Sequence, residues 1–346
     1  MARTGFSALL EEREWLLADG ATGTNLFAMG LSSGEPPEFW TTERPENIRA
    51  LHQGFVDAGS DIILTNTFGC NRHRLKLHQA ESRVPELNEK AARLAGEVAA
   101  AAPRPVVVAG SVGPTGEIFE PAGTLSHDEG VAAFAEQIAA LAEGGVDVVW
   151  IETMSAEEEV RAAVQAAREV APQLPVVVTM SFDTAGRTMM GIAPADLARL
   201  AEELELAAFG SNCGTGAPDL LVGILEMTEA APEAVVVAKA NAGVPEYVDG
   251  EIHYSGTVEM AGAYARMARD AGARIIGGCC GNTFDHVRAM AAALKDYTPG
   301  PRPTVEDIIA RLGPLTQQQG GGHACAHGHG PARGRGGRRS RRRRRD

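Results

Sequence analysis

The chain has 346 residues, 44% of them hydrophobic, enough for one large domain or two modest ones around a sizeable core. Its five cysteines show no disulfide spacing, its opening stretch does not read as a secretory signal, and no run approaches the ~18 consecutive apolar residues of a membrane span, so a cytoplasmic protein without a membrane partner is expected. The formal charge of −13 is uneven: the last fourteen residues, RGRGGRRSRRRRRD, hold nine arginines and one aspartate, which leaves the remainder near −21, a body that repels nucleic acid.

The opening MARTGFSALLEEREW reads as a short amphipathic helix with Phe6, Leu9 and Leu10 on one side. Eight runs rich in Val, Ile and Leu follow: WLLADG (15–20), DIILTNT (61–67), PVVVAGS (105–111), VDVVWIET (146–153), PVVVTMSF (175–182), LAAFGSNC (206–213), AVVVAKAN (234–241) and RIIGGCC (274–280). They are continuous rather than alternating, which marks strands buried on both faces. Between them lie amphipathic stretches such as SAEEEVRAAVQAAREV, which read as helices. Eight strands alternating with helices predict an α/β fold, a (β/α)8 TIM barrel over residues 1–298. A doubly wound sheet is the competing reading, but DGATGTN after the first run lacks the GxGxxG spacing. Residues 299–313 read as a linker and short terminal helix, and 314–346 as a disordered, basic Gly/His/Arg-rich tail.

In such a barrel the functional groups gather at the carboxyl ends of the strands. Those ends carry Asp19, Gly20, Thr65, Asn66, Ser111, Glu152, Thr153, Ser181, Asn212, Cys213, Lys239, Asn241, Cys279 and Cys280. The sixth and eighth strands lie two places apart around the ring, so Cys213 and the pair Cys279–Cys280 can converge at one rim. Consecutive strand residues point to opposite faces, and both thiols of the pair reach one point only if the backbone turns there; Gly277, Gly278 and Gly281 supply that freedom. Three thiolates with an open position describe a catalytic zinc site. Packing of small buried thiols and redox chemistry are the other readings, although the CxxC spacing is absent. A zinc held by three thiolates suits a thiol as its remaining ligand and leaves that sulfur nucleophilic, so the nucleophile would come with the substrate.

The segments LLADGATGTNL, TNTFGCNRHRLKLH, AGSVGPTGE, WIETMS, SNCGTG, KANAGVPEY and IIGGCCGNT together resemble the homocysteine S-methyltransferase family, over residues 11 to 295 or so. The resemblance implies a (β/α)8 barrel whose Zn2+ is held by Cys213, Cys279 and Cys280, with homocysteine binding through its sulfur and attacking the donor's methyl group. It further implies that Asp19 and Gly20 hold the amino-acid end of homocysteine and that Glu152 receives its ammonium group; Thr65, at the end of the second strand, is a further candidate substrate contact. A quaternary ammonium or sulfonium donor leaves as a neutral product and needs no general acid. A cationic donor also suits an aromatic surface, for which Trp40, Phe39 and Phe119 are candidates, Trp40 matching a loop position linked to substrate in the betaine enzymes. Arg72, His73 and Arg74 are candidates for a donor carboxylate, and Cys70 for a transient ligand. Glycine betaine is the expected donor, from the likeness to bacterial betaine–homocysteine methyltransferases. S-methylmethionine, dimethylsulfoniopropionate, or service as the homocysteine subunit of a split cobalamin-dependent system are the alternatives. The non-enzyme readings are a zinc-binding protein, or an RNA-interacting one through the arginine tail. At most a homodimer is expected, because the tail does not resemble the assembly element of the animal enzymes.

Overall fold

A computed structural model of the protein describes residues 5–248 and 251–316. Eight parallel strands form one sheet: β1 (Leu16–Leu17), β2 (Ile62–Leu64), β3 (Val107–Val112), β4 (Val148–Met154), β5 (Val176–Met180), β6 (Ala208–Cys213), β7 (Val236–Ala240) and β10 (Ile275–Gly278). Their spatial order is β1-β10-β7-β6-β5-β4-β3-β2. The ring closes between β1 and β2 through a parallel bridge from Ala18 to Ile62 and the bonds Asp19 N–H to Ile62 O and Asp61 N–H to Leu17 O. The chain is thus the expected (β/α)8 barrel, with each of the eight apolar runs supplying one staff.

Alternate residues of each run enter two different cores, which is why the runs are continuous. Leu16, Ala18, Val107, Ala109, Val148, Trp150, Val177, Val237 and Ile275 fill the barrel interior. Leu17, Val108, Val149, Ile151, Val178 and Ile276 face the helical shell. The amino-terminal helix Phe6–Glu12 belongs to the interior cluster: Phe6, Leu9 and Leu10 plug the barrel mouth beneath the strands. In the shell, helix Glu157–Val170 buries Val160, Ala163, Val164 and Ala167, the one-face spacing its sequence carries. Helix His127–Gly144 starts on a Ser126–Glu129 capping box and stops at Gly145, whose φ of 90° is open to glycine at little cost.

Two features depart from the expected layout. Strands β8 (Pro245–Val248) and β9 (Glu251–Tyr254) form an antiparallel hairpin between β7 and the helix Val258–Asp270. The stretch PEYV-DG-EIHY carries the Asp-Gly hairpin signal that would have found it. Residues 314–316, assigned from sequence to the tail, are placed against the barrel, with Thr316 N–H and Oγ1 donating to Asp219. Residues 317–346, including Cys325 and the arginine run expected to be disordered, lie outside the described residues. Helix Val305–Leu312 buries Ile308 and Leu312 against the shell. No described helix is long and apolar enough to cross a membrane.

Leu9 is fully buried in the plug, so Leu9→Ala should cost about 2–5 kcal/mol by transfer loss and cavity formation. The measurement is the shift in the urea unfolding midpoint at unchanged far-ultraviolet dichroism; an unmoved midpoint refutes the plug's contribution.

Candidate active site

One residue pair above the apolar interior layer, the strand interiors turn polar. Ser111, Glu152, Thr179, Asn212 and Lys239 project where Ala109, Trp150, Val177 and Val237 project below them, and all are buried. Lys239 Nζ donates to Asp19 Oδ1 at 2.7 Å, both side chains being 2% exposed, and lies 5.8 Å from the Trp150 ring centroid. Asp19 Oδ2 accepts from Leu64 N–H across the β1/β2 seam at 2.7 Å. Ser111 Oγ donates to Glu152 Oε1 at 2.5 Å. Burial raises the pKa of Asp19 against the pull of Lys239, and raises that of Glu152 to about 7. Burial also works against the charge on Lys239, but Asp19 and Glu152 outweigh it and its pKa rises. The lysine therefore stays cationic between two carboxylates.

The three cysteines meet at this rim. Their sulfurs lie within 4.8 Å of one another, and Cys213 Sγ to Cys279 Sγ is 2.9 Å. Two backbone devices bring them there. Cys213 has φ of 59°, a left-handed conformation that costs a non-glycine residue about 1–3 kcal/mol and turns its side chain away from the strand alternation. After Cys280 the chain turns at Gly281, φ 80°, where an added Cβ would stand 2.4 Å from the Tyr254 ring. Asparagines fix the rest. Asn282 Nδ2 donates to Ala240 O and Cys279 O, and Asn25 Nδ2 donates to Asn282 O. Asn212 takes Thr153 N–H and Thr179 Oγ1–H on its oxygen and donates to Thr153 Oγ1. Hydrogen bonds from Cys213 and Cys279 push the Cys280 thiol down, while bonding to its two neighbours and burial push Cys213 up.

The donor set fits zinc. Three sulfurs at ~2.3 Å from a tetrahedral ion would lie ~3.8 Å apart, a spread of under ~1 Å from the closest pair here, and sulfur disfavours magnesium or calcium. Among the described residues no further His, Cys, Asp or Glu joins the group. Tyr254, at the end of β9, walls the same cavity as Cys280.

A cavity of about 370 Å3 opens on the trio and is walled by Asp19, Gly20, Thr65, Ser111, Glu152 and Lys239. Gly20 is required by crowding: a Cβ there would stand 2.6 Å from Asn282 O and 2.8 Å from the Phe55 ring. Thr65 Oγ1 shares a 2.6 Å hydrogen bond with Thr67 and accepts from Ser111 N–H. Seven sequence-selected positions, Asp19, Gly20, Thr65, Glu152 and the three cysteines, thus line one space. Trp40 does not join them. It is 1% exposed in the helical core with its indole N–H on Glu35 at 3.0 Å, a packing anchor that folds the first long loop inward. The aromatic walls are instead Phe27, Phe68 and Tyr254. Phe39 packs on His78, Arg72 is paired with Glu136, and Cys70 is fully buried against Leu75, Val84 and Leu87, apart from the trio. Sequence reasoning placed Lys239 and Asn212 at strand ends without roles; their burial as polar groups on apolar strands was the available signal. It passed over Asn282 and Tyr254.

The chain is 29% identical over 308 residues to the methionine synthase of Mycobacterium leprae, covering 84% of this chain and 25% of that protein. It is likewise 29% identical over 298 residues to that of Mycobacterium tuberculosis, covering 81% and 25%. It therefore spans about a quarter of the length of these curated relatives. Among solved structures, the homocysteine methyltransferase MmuM from Escherichia coli in its metallated form superposes with a TM-score of 0.70 at 23% identity, over 82% of this chain and 98% of that one. The family profile described as homocysteine S-methyltransferase matches residues 16–294, and the chain belongs to that family.

Proposed function

We propose that the protein transfers a methyl group from a small onium donor to the thiol of homocysteine, with one zinc ion held by Cys213, Cys279 and Cys280. The observation that carries this reading is the convergence of three sulfurs on the rim of a cavity whose other wall holds the buried charged groups Asp19, Glu152 and Lys239. The Escherichia coli homocysteine methyltransferase of the same fold has a metallated form, which supports a metal ion in this reading. When bound, zinc would lower the pKa of an incoming thiol while its anionic ligand set leaves that sulfur nucleophilic.

The chain's own residues do the rest. Glu152, braced by Ser111, offers a carboxylate to the homocysteine ammonium. Asp19 is engaged by Lys239 and Leu64 N–H, so it orients the site more than it receives substrate, and Gly20 keeps the floor open. Lys239 is the cation available to the homocysteine carboxylate. In the transfer a carbon–sulfur bond forms to the substrate sulfur as the bond from methyl to the donor's nitrogen or sulfur breaks. The electron pair stays on the donor heteroatom, which leaves neutral, and the thiol proton passes to solvent. Holding nucleophile and methyl in line is the main task left to the protein. Glycine betaine is the donor favoured by resemblance; S-methylmethionine and dimethylsulfoniopropionate share its onium chemistry. The chain's match to about a quarter of methionine synthase keeps a second reading, the homocysteine-binding part of a cobalamin-dependent system.

Purified protein should carry one zinc per chain by metal analysis and form methionine from homocysteine and an onium donor. Cys213→Ala should abolish both, whereas retained stoichiometric zinc in that variant rejects the site. Because the pKa of Glu152 is raised to about 7, its anion is lost as pH falls below that value. The KM for homocysteine should therefore climb by up to about tenfold per pH unit there. Glu152→Gln should raise that KM by about 10–100-fold, the worth of a charged hydrogen bond, and flatten its pH dependence; an unchanged profile removes Glu152 from ammonium recognition.

A further inference from the structure

Asn212 is fully buried one residue before Cys213, and each atom of its amide can be accounted for. Its Oδ1 accepts two hydrogen bonds, from Thr153 N–H at 2.9 Å and from Thr179 Oγ1–H at 2.7 Å. Two donors on one atom fix that atom as the oxygen, because an amide nitrogen accepts neither. Nδ2 therefore carries both hydrogens. One goes to Thr153 Oγ1 at 2.7 Å, and the other faces Cys279 Sγ at 3.8 Å. A single side chain thus joins four strands of the barrel: β4 through Thr153, β5 through Thr179, β6 through its own backbone, and the turn after β10 through Cys279.

The place it holds is a partition. Thr153 and Cys213, both with φ near +60°, are walls of the substrate cavity and also of a second space of about 540 Å3. The far walls of that space carry Glu117 and Glu120 from the loop after β3 and Asp183 from the loop after β5, with Phe119 and Met189 among them. An N–H facing a neutral thiol at 3.8 Å is a weak contact. Facing a thiolate it becomes charge-assisted, and such bonds shorten and strengthen. This N–H is buried and has no other acceptor, and leaving it unmet would cost about 1–3 kcal/mol. Its direction is set by Thr153 and Thr179, so it is aimed at the sulfur before any metal arrives.

We propose that Asn212 is a positioning residue for the sulfur trio: its amide N–H bonds the Cys279 thiolate, draws charge from that sulfur, and so tempers what the three-thiolate set donates to the metal. The inference rests on the zinc reading above and goes beyond it by giving the three sulfurs unequal parts. Three thiolates of full charge would leave a divalent ion little pull on an incoming thiol. With Cys279 partly engaged by Asn212 more of that pull remains, and the homocysteine sulfur is held more firmly.

The test uses the full-length protein loaded with Co(II) in place of zinc, because cobalt reports its sulfur ligands through a sulfur-to-metal charge-transfer band in the near ultraviolet. Asn212→Asp keeps an acceptor for Thr153 N–H and Thr179 Oγ1–H but removes the N–H. Asn212→Leu removes the whole amide, and Thr179→Val removes one anchor while leaving the N–H on Cys279. A more electron-rich sulfur moves the band to longer wavelength. Both Asn212 variants should show that shift, and Thr179→Val should match the wild type. Cobalt should bind about 10–100-fold more weakly to Asn212→Leu. An unmoved band in Asn212→Asp overturns the assignment whether or not Asn212→Leu folds. Wild-type cobalt affinity in Asn212→Leu, or an equal shift in Thr179→Val, overturns it as well, and each of these leaves the metal site standing. A wild-type protein that binds no cobalt rejects the metal reading and this inference together. The expected shift without methionine from any donor upholds the part played by Asn212 and rejects the transfer reading.

Discussion

The buried ion pair between Asp19 and Lys239 joins the architecture to the chemistry. One carboxylate oxygen of Asp19 stitches the seam between β1 and β2, and the other holds Lys239 on β7. β1 has only two paired residues, so the seam depends on side chains as well as backbone ladder bonds. A charge pair this deep carries a desolvation penalty comparable to its attraction and is a poor source of net stability. Its use lies in placement. It fixes a cation at the centre of the polar layer, beside Glu152.

From that layer the site divides along Cys213. Toward β1 and β2 the walls are charged in both signs and tightly hydrogen-bonded, suited to a zwitterionic amino acid. Toward the loops after β3 and β5 the walls are acidic, partly apolar and less constrained. The sulfurs stand on the ridge between. Two left-handed residues stand there: Cys213 and Thr153 each have φ near +60°. At Thr153 the register of β4 against β5 also slips, which re-aims the end of the strand that carries Glu152. Asn212 bonds both strand ends and so holds the two strained residues against each other.

A metal-free trio of thiols at these distances is electrostatically awkward. One thiolate can be accepted by two neighbouring thiols, but a second would stand beside the first. That asymmetry explains why Cys280 is pushed toward ionisation and Cys213 away from it, and a divalent cation relieves it. The end of the hairpin β8–β9 reaches the same point, where Tyr254 walls the cavity with Cys280, so part of the site is built from outside the barrel strands.

Much of this was legible in the amino-acid order. Continuous β-branched runs announce two-faced burial, eight of them announce the barrel, and functional groups at strand ends follow from the architecture. Cys213 with Cys279–Cys280 was readable because β6 and β10 stand on either side of β7. The order of residues could not decide where long loops fold. Trp40 has the composition of a cation contact, yet packing drew its ring into the core and left Phe27, Phe68 and Tyr254 at the cavity. Nor could it show that Asp19 would be consumed by Lys239, 220 positions later, or that two separate loops would place their carboxylates around one space. Periodicity is a local property, set by 3.6 and 2 residues per repeat, and sequence alone carries it; which side chains share a cavity depends on contacts distant along the chain, and only the closed barrel settles them.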